Sequence, residues 1–232
     1  MTRVFEKRKF ECFYDRNSSA VFEDFEFRRC YFESSAISIT CDLASRSTVR
    51  NVRFINCEQG GCRLHTAIVE DVLIDGFKTH GLFQAFGAVY KHVTLRGRLG
   101  KIMLSPVVMP GSATKDQQRA FDEANASYYE GVDWALDISE AECQYLEIRG
   151  GVPVRLIRRD PETQMVFKRE KVMQGKWRKL EAIQGYWAGI LELFLQLGTT
   201  EEVLVAPKRH RRFRELADGL RVLRDAGVAE PD

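Results

Sequence analysis

Ala20-Val21-Phe22, Phe25-Glu26-Phe27, Cys30-Tyr31-Phe32 and Ser35-Ala36-Ile37 are four triplets that begin five residues apart. In each, the first residue is small or apolar and the third is large and apolar. The residues between them include Glu23, Asp24, Arg28, Arg29, Glu33 and Ser34, all polar. A period of five fits neither an α-helix, near 3.6, nor a flat strand, at 2. It suits a chain that takes two extended residues, turns a corner and repeats. Four such sides make a coil of roughly 20 residues, a solenoid-type repeat length. Small and large inward residues then alternate to fill a narrow interior, and stacked coils pair their backbones along the axis.

Outward from this stretch, the pattern slips by about two residues in the polar segment from Asp42 to Ser47 and resumes at Val52-Arg53-Phe54. Five-residue steps then reach Cys57, Cys62, Ala67, Val72, Phe77 and Leu82, with Gln59, Leu64, Val69, Ile74, Thr79 and Gln84 at the large positions. A one-residue slip precedes Val93-Thr94-Leu95, and Ile102-Met103-Leu104 returns to phase. A third run comprises Leu136-Asp137-Ile138, Ala141-Glu142-Cys143 and Leu146-Glu147-Ile148. The expected inward core includes Phe25, Phe27, Cys30, Phe32, Val52, Phe54, Cys57, Cys62, Leu64, Val72, Ile74, Leu146 and Ile148.

Over residues 20–104 and 134–156 this pattern resembles the pentapeptide-repeat family, whose consensus is A(D/N)LXX with four repeats per coil. The composition departs from that consensus: Asp or Asn is rare at the second position, and Gln59, Thr79 and Gln84 stand at large-residue positions. The resemblance implies a mainly β fold, a right-handed quadrilateral parallel β-helix. A parallel β-helix with about two strands per rung is the competing architecture.

Residues 105–133 interrupt the repeat. SPVVMPGSAT (105–114) carries two prolines and a glycine, a loop signature. A helix is predicted over 115–129: Thr114 and Gln117 have capping-box spacing, and Phe121, Ala124 and Tyr128 form its apolar stripe. It is expected to lie along the outside of the coil or to cover an open edge. The solenoid is thus predicted over 1–157 and a hairpin plus helical domain over 158–232. In VPVRLIRR-DPET-QMVFKRE, Asp160-Pro161 suits the first two positions of a type I turn. From Arg169 onward Leu180, Ile183, Trp187, Ile190, Leu191 and Phe194 recur at helical spacing, with Gly198 as the stop. A last helix is predicted from Pro207 to Asp225, with Phe213, Leu216, Leu220 and Leu223 as its buried stripe. These helices would cap an end of the solenoid.

The chain has 232 residues, 44% hydrophobic and 29% charged, with 35 basic against 33 acidic residues and a net charge of +2. These are ordinary values for a soluble globular protein. The balance argues against an acidic nucleic-acid mimic and against a strongly basic non-specific DNA binder. Some pentapeptide-repeat proteins mimic DNA and shield topoisomerases, a role that needs an acidic surface. Residues 1–105 carry 16 basic and 12 acidic residues, about +4, so that role does not transfer. The first ten residues are charged and lack the apolar segment of a secretory signal. YWAGILELFLQLG (186–198) is too short and too interrupted to span a bilayer. The expected compartment is the cytoplasm, without membrane association, and the six cysteines are expected to be mostly reduced thiols.

Among candidate sites, Lys208, Arg209, Arg211, Arg212 and Arg214 form a cationic run at a helix start, unfavourable toward the helix dipole unless an anion or acidic surface meets it. Arg158 and Arg159, with Lys168, Arg169 and Lys171, would extend a nucleic-acid surface of steep salt dependence. The plain alternative is a solvated face paired at i,i+4 through Arg211–Glu215, Arg214–Asp218 and Arg221–Asp225. Cys57, Cys62 and His65 have partial zinc-like spacing, but both cysteines occupy small inward positions, where cysteine packs as a small hydrophobe. No metal and no cofactor is expected. His65, His80, His92 and His210 sit in no catalytic motif, and Asp71 with Asp75 is the nearest approach to a carboxylate pair. A carbohydrate-active enzyme would instead need a carboxylate-lined groove. Tyr128, Tyr129, Trp134, Trp177, Tyr186 and Trp187 are expected mostly to pack the helices, leaving one or two for a partner. The reading reached is a non-enzymatic protein-binding solenoid, of the kind that serves as a cytoplasmic inhibitor, immunity or protection protein, with a homodimer open to it. Nucleic-acid binding through the Arg-rich helix is the alternative.

Overall fold

The five-residue step of the sequence is a step between backbone bends. In the computed structural model, which describes residues 1–230, φ turns positive at Lys7, Cys12 and Asn17, at Asp24, Arg29 and Ser34, at Asn51, Asn56 and Gly61, and at Asp71, Gly76 and Gly81. Within each run the bends lie five residues apart. A left-handed residue between extended residues redirects the chain, and Asn, Asp and Gly tolerate it best.

Between the bends lie β1 (Arg3–Glu6), β2 (Lys9–Glu11), β3 (Tyr14–Arg16), β4 (Val21–Arg28), β5 (Tyr31–Glu33), β6 (Ala36–Ile39), β7 (Thr48–Gly60), β8 (Arg63–Leu64), β9 (Ile68–Phe86) and β10 (Val89–Ser105). Helix α1 (Lys115–Glu130) precedes β11 (Leu136–Asp137), β12 (Ala141–Ile148) and β13 (Ile157–Arg158). The chain ends in β14 (Gln164–Lys168), α2 (Arg169–Met173), α3 (Tyr186–Leu197), β15 (Glu201–Val205), α4 (Phe213–Asp225) and β16 (Ala229–Glu230). The fold is mainly β, one 16-stranded sheet with four α-helices among the described residues. Residues 231 and 232, the end of the predicted C-terminal domain, lie outside the described residues.

Through β13 the strand pairing is parallel. Phe5 lies opposite Phe27, Phe27 opposite Phe54, Phe54 opposite Ile74, and Ile74 opposite Leu95. Successive layers are therefore 22, 27, 20 and 21 residues apart. The long step contains a 3₁₀ turn, Leu43–Ser45, whose Ala44 N–H donates to Asp42 Oδ1 at 3.2 Å. That turn occupies the polar segment where the sequence pattern slips.

Five expectations change. The one-residue slip falls at Gly81, not just before Val93: bends at Gly81 and Gly87 are six residues apart. Phe83 and Ala85 therefore line the interior, and Leu82, 40% exposed, leaves it with Gln84. The face that α1 buries is Phe121, Asn125 and Tyr129, one residue round from the predicted Ala124 and Tyr128. Arg46 causes this rotation by donating to Asn125 Oδ1 at 3.0 Å and to Thr66 O at 2.6 Å. The Thr114–Gln117 capping box is present.

The hairpin expected across Asp160 does not form. Ile157 and Arg158 continue the parallel stack against Leu136 and Asp137, while β14 pairs antiparallel with β15 and β16. Asp160 does make a tight turn, accepting from Glu162 N at 3.1 Å and Thr163 Oγ1 at 2.8 Å, but the flanking strands diverge to distant partners. The helical pattern after Arg169 is broken by left-handed Gly175 and by Gly185 at φ +97°, so only α3 is a full helix there. The last helix starts at Phe213, not Pro207, because residues 207–212 form a turn closed by His210 N donating to Pro207 O.

The β14–β15 pair partitions two cores. Val166, Val203 and Val205 face the interior of the parallel layers. Met165, Phe167 and Leu204 face a second core with Trp177, Trp187, Leu191, Phe194, Leu216 and Leu220. Strand alternation thus buries both faces. In the second core Trp187 Nε1 donates to Leu216 O at 3.0 Å, and its ring lies so close to Gly219 that a Cβ there would meet it at 2.5 Å. No helix among the described residues is long and apolar enough to cross a membrane.

Candidate functional site

The two ends of the parallel stack differ. At the C-terminal end Ile148 pairs with Val203, and the partition sheet closes the interior. At the N-terminal end β1, β2 and β3 each pair on one side only among the described residues. Val4, Phe13, Tyr14 and Val21 there are about half exposed.

Behind this end the inward side chains are phenylalanines. Phe5, Phe27 and Phe54 stack at 5.4 and 5.2 Å between centroids, and Phe10 stacks on Phe32 at 5.2 Å. Flat rings stacked along the axis leave the centre unfilled. A cavity of about 520 Å³ runs from Phe5 and Phe13 to Tyr90, Leu104 and Leu136. Phe54, Ile74 and Phe83, in the middle layers, line it and remain only partly buried.

Three of the polar groups on the lining are already engaged. Gln59 Oε1 accepts from Cys62 N at 2.9 Å, and Ser35 Oγ donates to Glu33 O at 2.9 Å while accepting from Phe13 N at 3.1 Å. Glu11 pairs with Lys9 at 2.5 Å. The two lining cations, Arg3 and Arg63, have no ion-pair partner among the described residues. Arg3 lies over the Phe5 ring at 5.0 Å.

The sequence-predicted inward residues line or pack this core. Cys30, Val52, Cys57, Val72, Leu146 and Ile148 are fully buried in it, and Phe25, Phe27, Phe32, Phe54, Leu64 and Ile74 pack against it. Cys62 is also buried. Cys57 Sγ donates to Phe27 O at 3.3 Å, and burial pushes its thiol up to about 11. His65 stacks on Phe86, and burial pushes it down to about 4, so the ring is neutral. No group of three or more His, Cys, Asp or Glu among the described residues is arranged to hold a metal ion.

The predicted basic cluster is dispersed into internal contacts. Lys208 pairs with Asp160 at 2.9 Å, and Arg209 donates to Leu99 O at 2.9 Å. Arg159 donates to Val154 O at 3.1 Å and Arg169 to Leu195 O at 3.1 Å. Lys168 and Lys171 both pair with Glu230. Arg212 pairs with Glu215 and Arg221 with Asp218, in place of the expected i,i+4 pairs. Exposed Arg211 and Arg214 remain without an ion-pair partner among the described residues.

Among the aromatic residues, Trp177 and Trp187 are core, and Tyr128 and Tyr129 fix α1 to the wall through Glu70 and the Tyr90 N–H. Trp134 is sandwiched between His92, 4.8 Å away, and the Arg158 guanidinium at 4.2 Å. His92 bridges Asp133 at 2.7 Å and Asp71 at 3.0 Å, and these hydrogen bonds, Asp133 first, hold its pKa above the ordinary range.

The residues that sequence reasoning missed are Arg3, Phe5, Phe10 and Phe13. Phe5 and Phe10 lie five apart, so the repeat step was present before Ala20, although too short a run to stand alone. No family model matches this chain, and no curated protein or solved structure matches it either.

Proposed function

We propose that this chain is a non-catalytic protein-binding module, built on a four-sided parallel β-solenoid of the pentapeptide-repeat kind, that engages an extended segment of a partner protein at its N-terminal coil. The observation that carries this reading is the asymmetry of the ends: exposed Val4, Phe13 and Tyr14 stand beside three strands with one unpaired side. An added strand would satisfy those backbone groups while its alternate side chains meet apolar surface, with Tyr14 as an aromatic anchor. A rigid stacked scaffold loses little ordering entropy on binding. The internal engagement of most of the basic residues favours a protein over a nucleic acid.

A photo-crosslinking residue placed at Tyr14, with a second variant carrying it at Arg211, tests the reading in cells. The expected result is one discrete protein adduct from position 14 that survives high salt and nuclease. Adducts from position 211 alone, lost on nuclease treatment, move the function to nucleic acid. No adduct at position 14 removes the N-terminal coil as the docking end.

A further inference from the structure

We infer that the hollow interior is a binding site for one unbranched hydrocarbon chain bearing an anionic head group, which enters at the N-terminal end. Its volume of about 520 Å³ falls within the roughly 300–1,000 Å³ of small-molecule sites. The walls are continuous parallel layers, the C-terminal end is closed by Val166, Val203 and Val205, and the N-terminal end is uncovered among the described residues.

The lining chooses the chemistry. Phenylalanine, valine, isoleucine and leucine side chains dominate it, and Gln59 Oε1 and Ser35 Oγ are already hydrogen-bonded. A peptide threaded into it would bury amides without partners, a cost of roughly 1–3 kcal/mol each in proteins, whereas a methylene chain needs none. The elongated shape, extending from Phe5 through Ile74 to Leu136, suits a linear molecule rather than a compact one. At the rim Glu11 is matched by Lys9, which leaves the Arg3 guanidinium to meet a carboxylate or similar anion. This inference does not rest on the protein-binding reading, because the two have separate readouts.

The test is titration of the full delipidated chain with 11-(dansylamino)undecanoic acid, followed by displacement with palmitate and with hexadecanol. Saturable blue-shifted emission at one probe per chain, displaced by palmitate, is expected. In the exposed Arg3→Ala variant palmitate should weaken by roughly two- to fivefold, the range of an exposed ion pair, with hexadecanol unchanged. Phe10→Trp supplies a reporter at the mouth, whose added emission a bromine-labelled fatty acid should quench. Ile74→Trp should block the middle of the cavity and abolish binding while the circular-dichroism melt stays cooperative. Absence of saturable binding to the unaltered chain overturns the inference. So does added emission in the Phe10→Trp variant that stays unquenched at saturation, or undiminished binding in a folded Ile74→Trp chain.

Discussion

The parallel layers and the C-terminal core solve the same packing problem in opposite ways. In the layers, backbone ladders and left-handed bends hold the frame, and the side chains stack along the axis around a hollow centre. In the C-terminal core the frame is loose, with three short helical pieces and two backbone breaks, but the interior is filled by Trp177, Trp187 and Phe194. A ladder stabilises layers whether or not the middle is full, so a hollow survives there. Helices joined by irregular turns depend mainly on side-chain packing to hold them. Space for a ligand is therefore found where the backbone carries the structure.

The sharpest test of this contrast compares two phenylalanines. Phe194→Ala, in the filled core, should cost about 3–5 kcal/mol in urea unfolding, whereas Phe54→Ala, which borders the hollow, should cost only about 1–2 kcal/mol. Equal costs would mean that the two interiors are equally packed.

Glu202 probes the partition between them. Burial pushes its carboxyl up to about 7. Its folded value lies above its unfolded one, so the charged form is disfavoured in the fold: the residue costs stability above about pH 7 and nothing below the unfolded value. Glu202→Gln keeps an acceptor for the Thr199 hydroxyl. It should be more stable than the parent by on the order of 2 kcal/mol near pH 8, with the gain gone near pH 4.5. A gain independent of pH would show that burial of the charge is not its origin.

Gly219→Ala should cost about 1–3 kcal/mol through contact with the Trp187 ring. In an exposed helix the same change gains about 1 kcal/mol, so the sign alone reports how tightly α3 and α4 meet.

The smallest effect is expected at the surface of the layers. The His92 pKa is raised, so the stability from its bridge to Asp133 and Asp71 is fully present below about pH 6.5 and is lost as pH rises through the folded value. With the ring partly exposed, His92→Gln should change stability by under about 1 kcal/mol at pH 6 and by nothing near pH 9. An NMR titration of His92 beside melts at both pH values checks this.

Reading the chain in steps of five found the inward columns from Phe25 to Ile74, since inward direction is a local consequence of where each bend falls. It failed at Leu82 and Gln84, because Gly81 and Gly87 lie six residues apart and Leu82 is as apolar as Phe83, so residue type alone does not show which of the two turns inward. The Thr114–Gln117 cap was legible for the same local reason, and the buried face of α1 was not, since Arg46, 79 residues before Asn125, decides it. The hairpin at Asp160 looked complete as a turn, yet its strands answered to Leu136 and to Val205, partners invisible at short range.

By itself, then, the sequence determined the bend interval, the mainly β character and the loop that admits α1, all set by steric preferences within a few residues. Only the tertiary structure decided that the axis is hollow, that one end is closed by a two-faced sheet while the other is uncovered among the described residues, and that most of the predicted basic cluster is committed internally. Those features depend on the distances between layers and on partners far away in the chain, and no local preference encodes the space left between side chains.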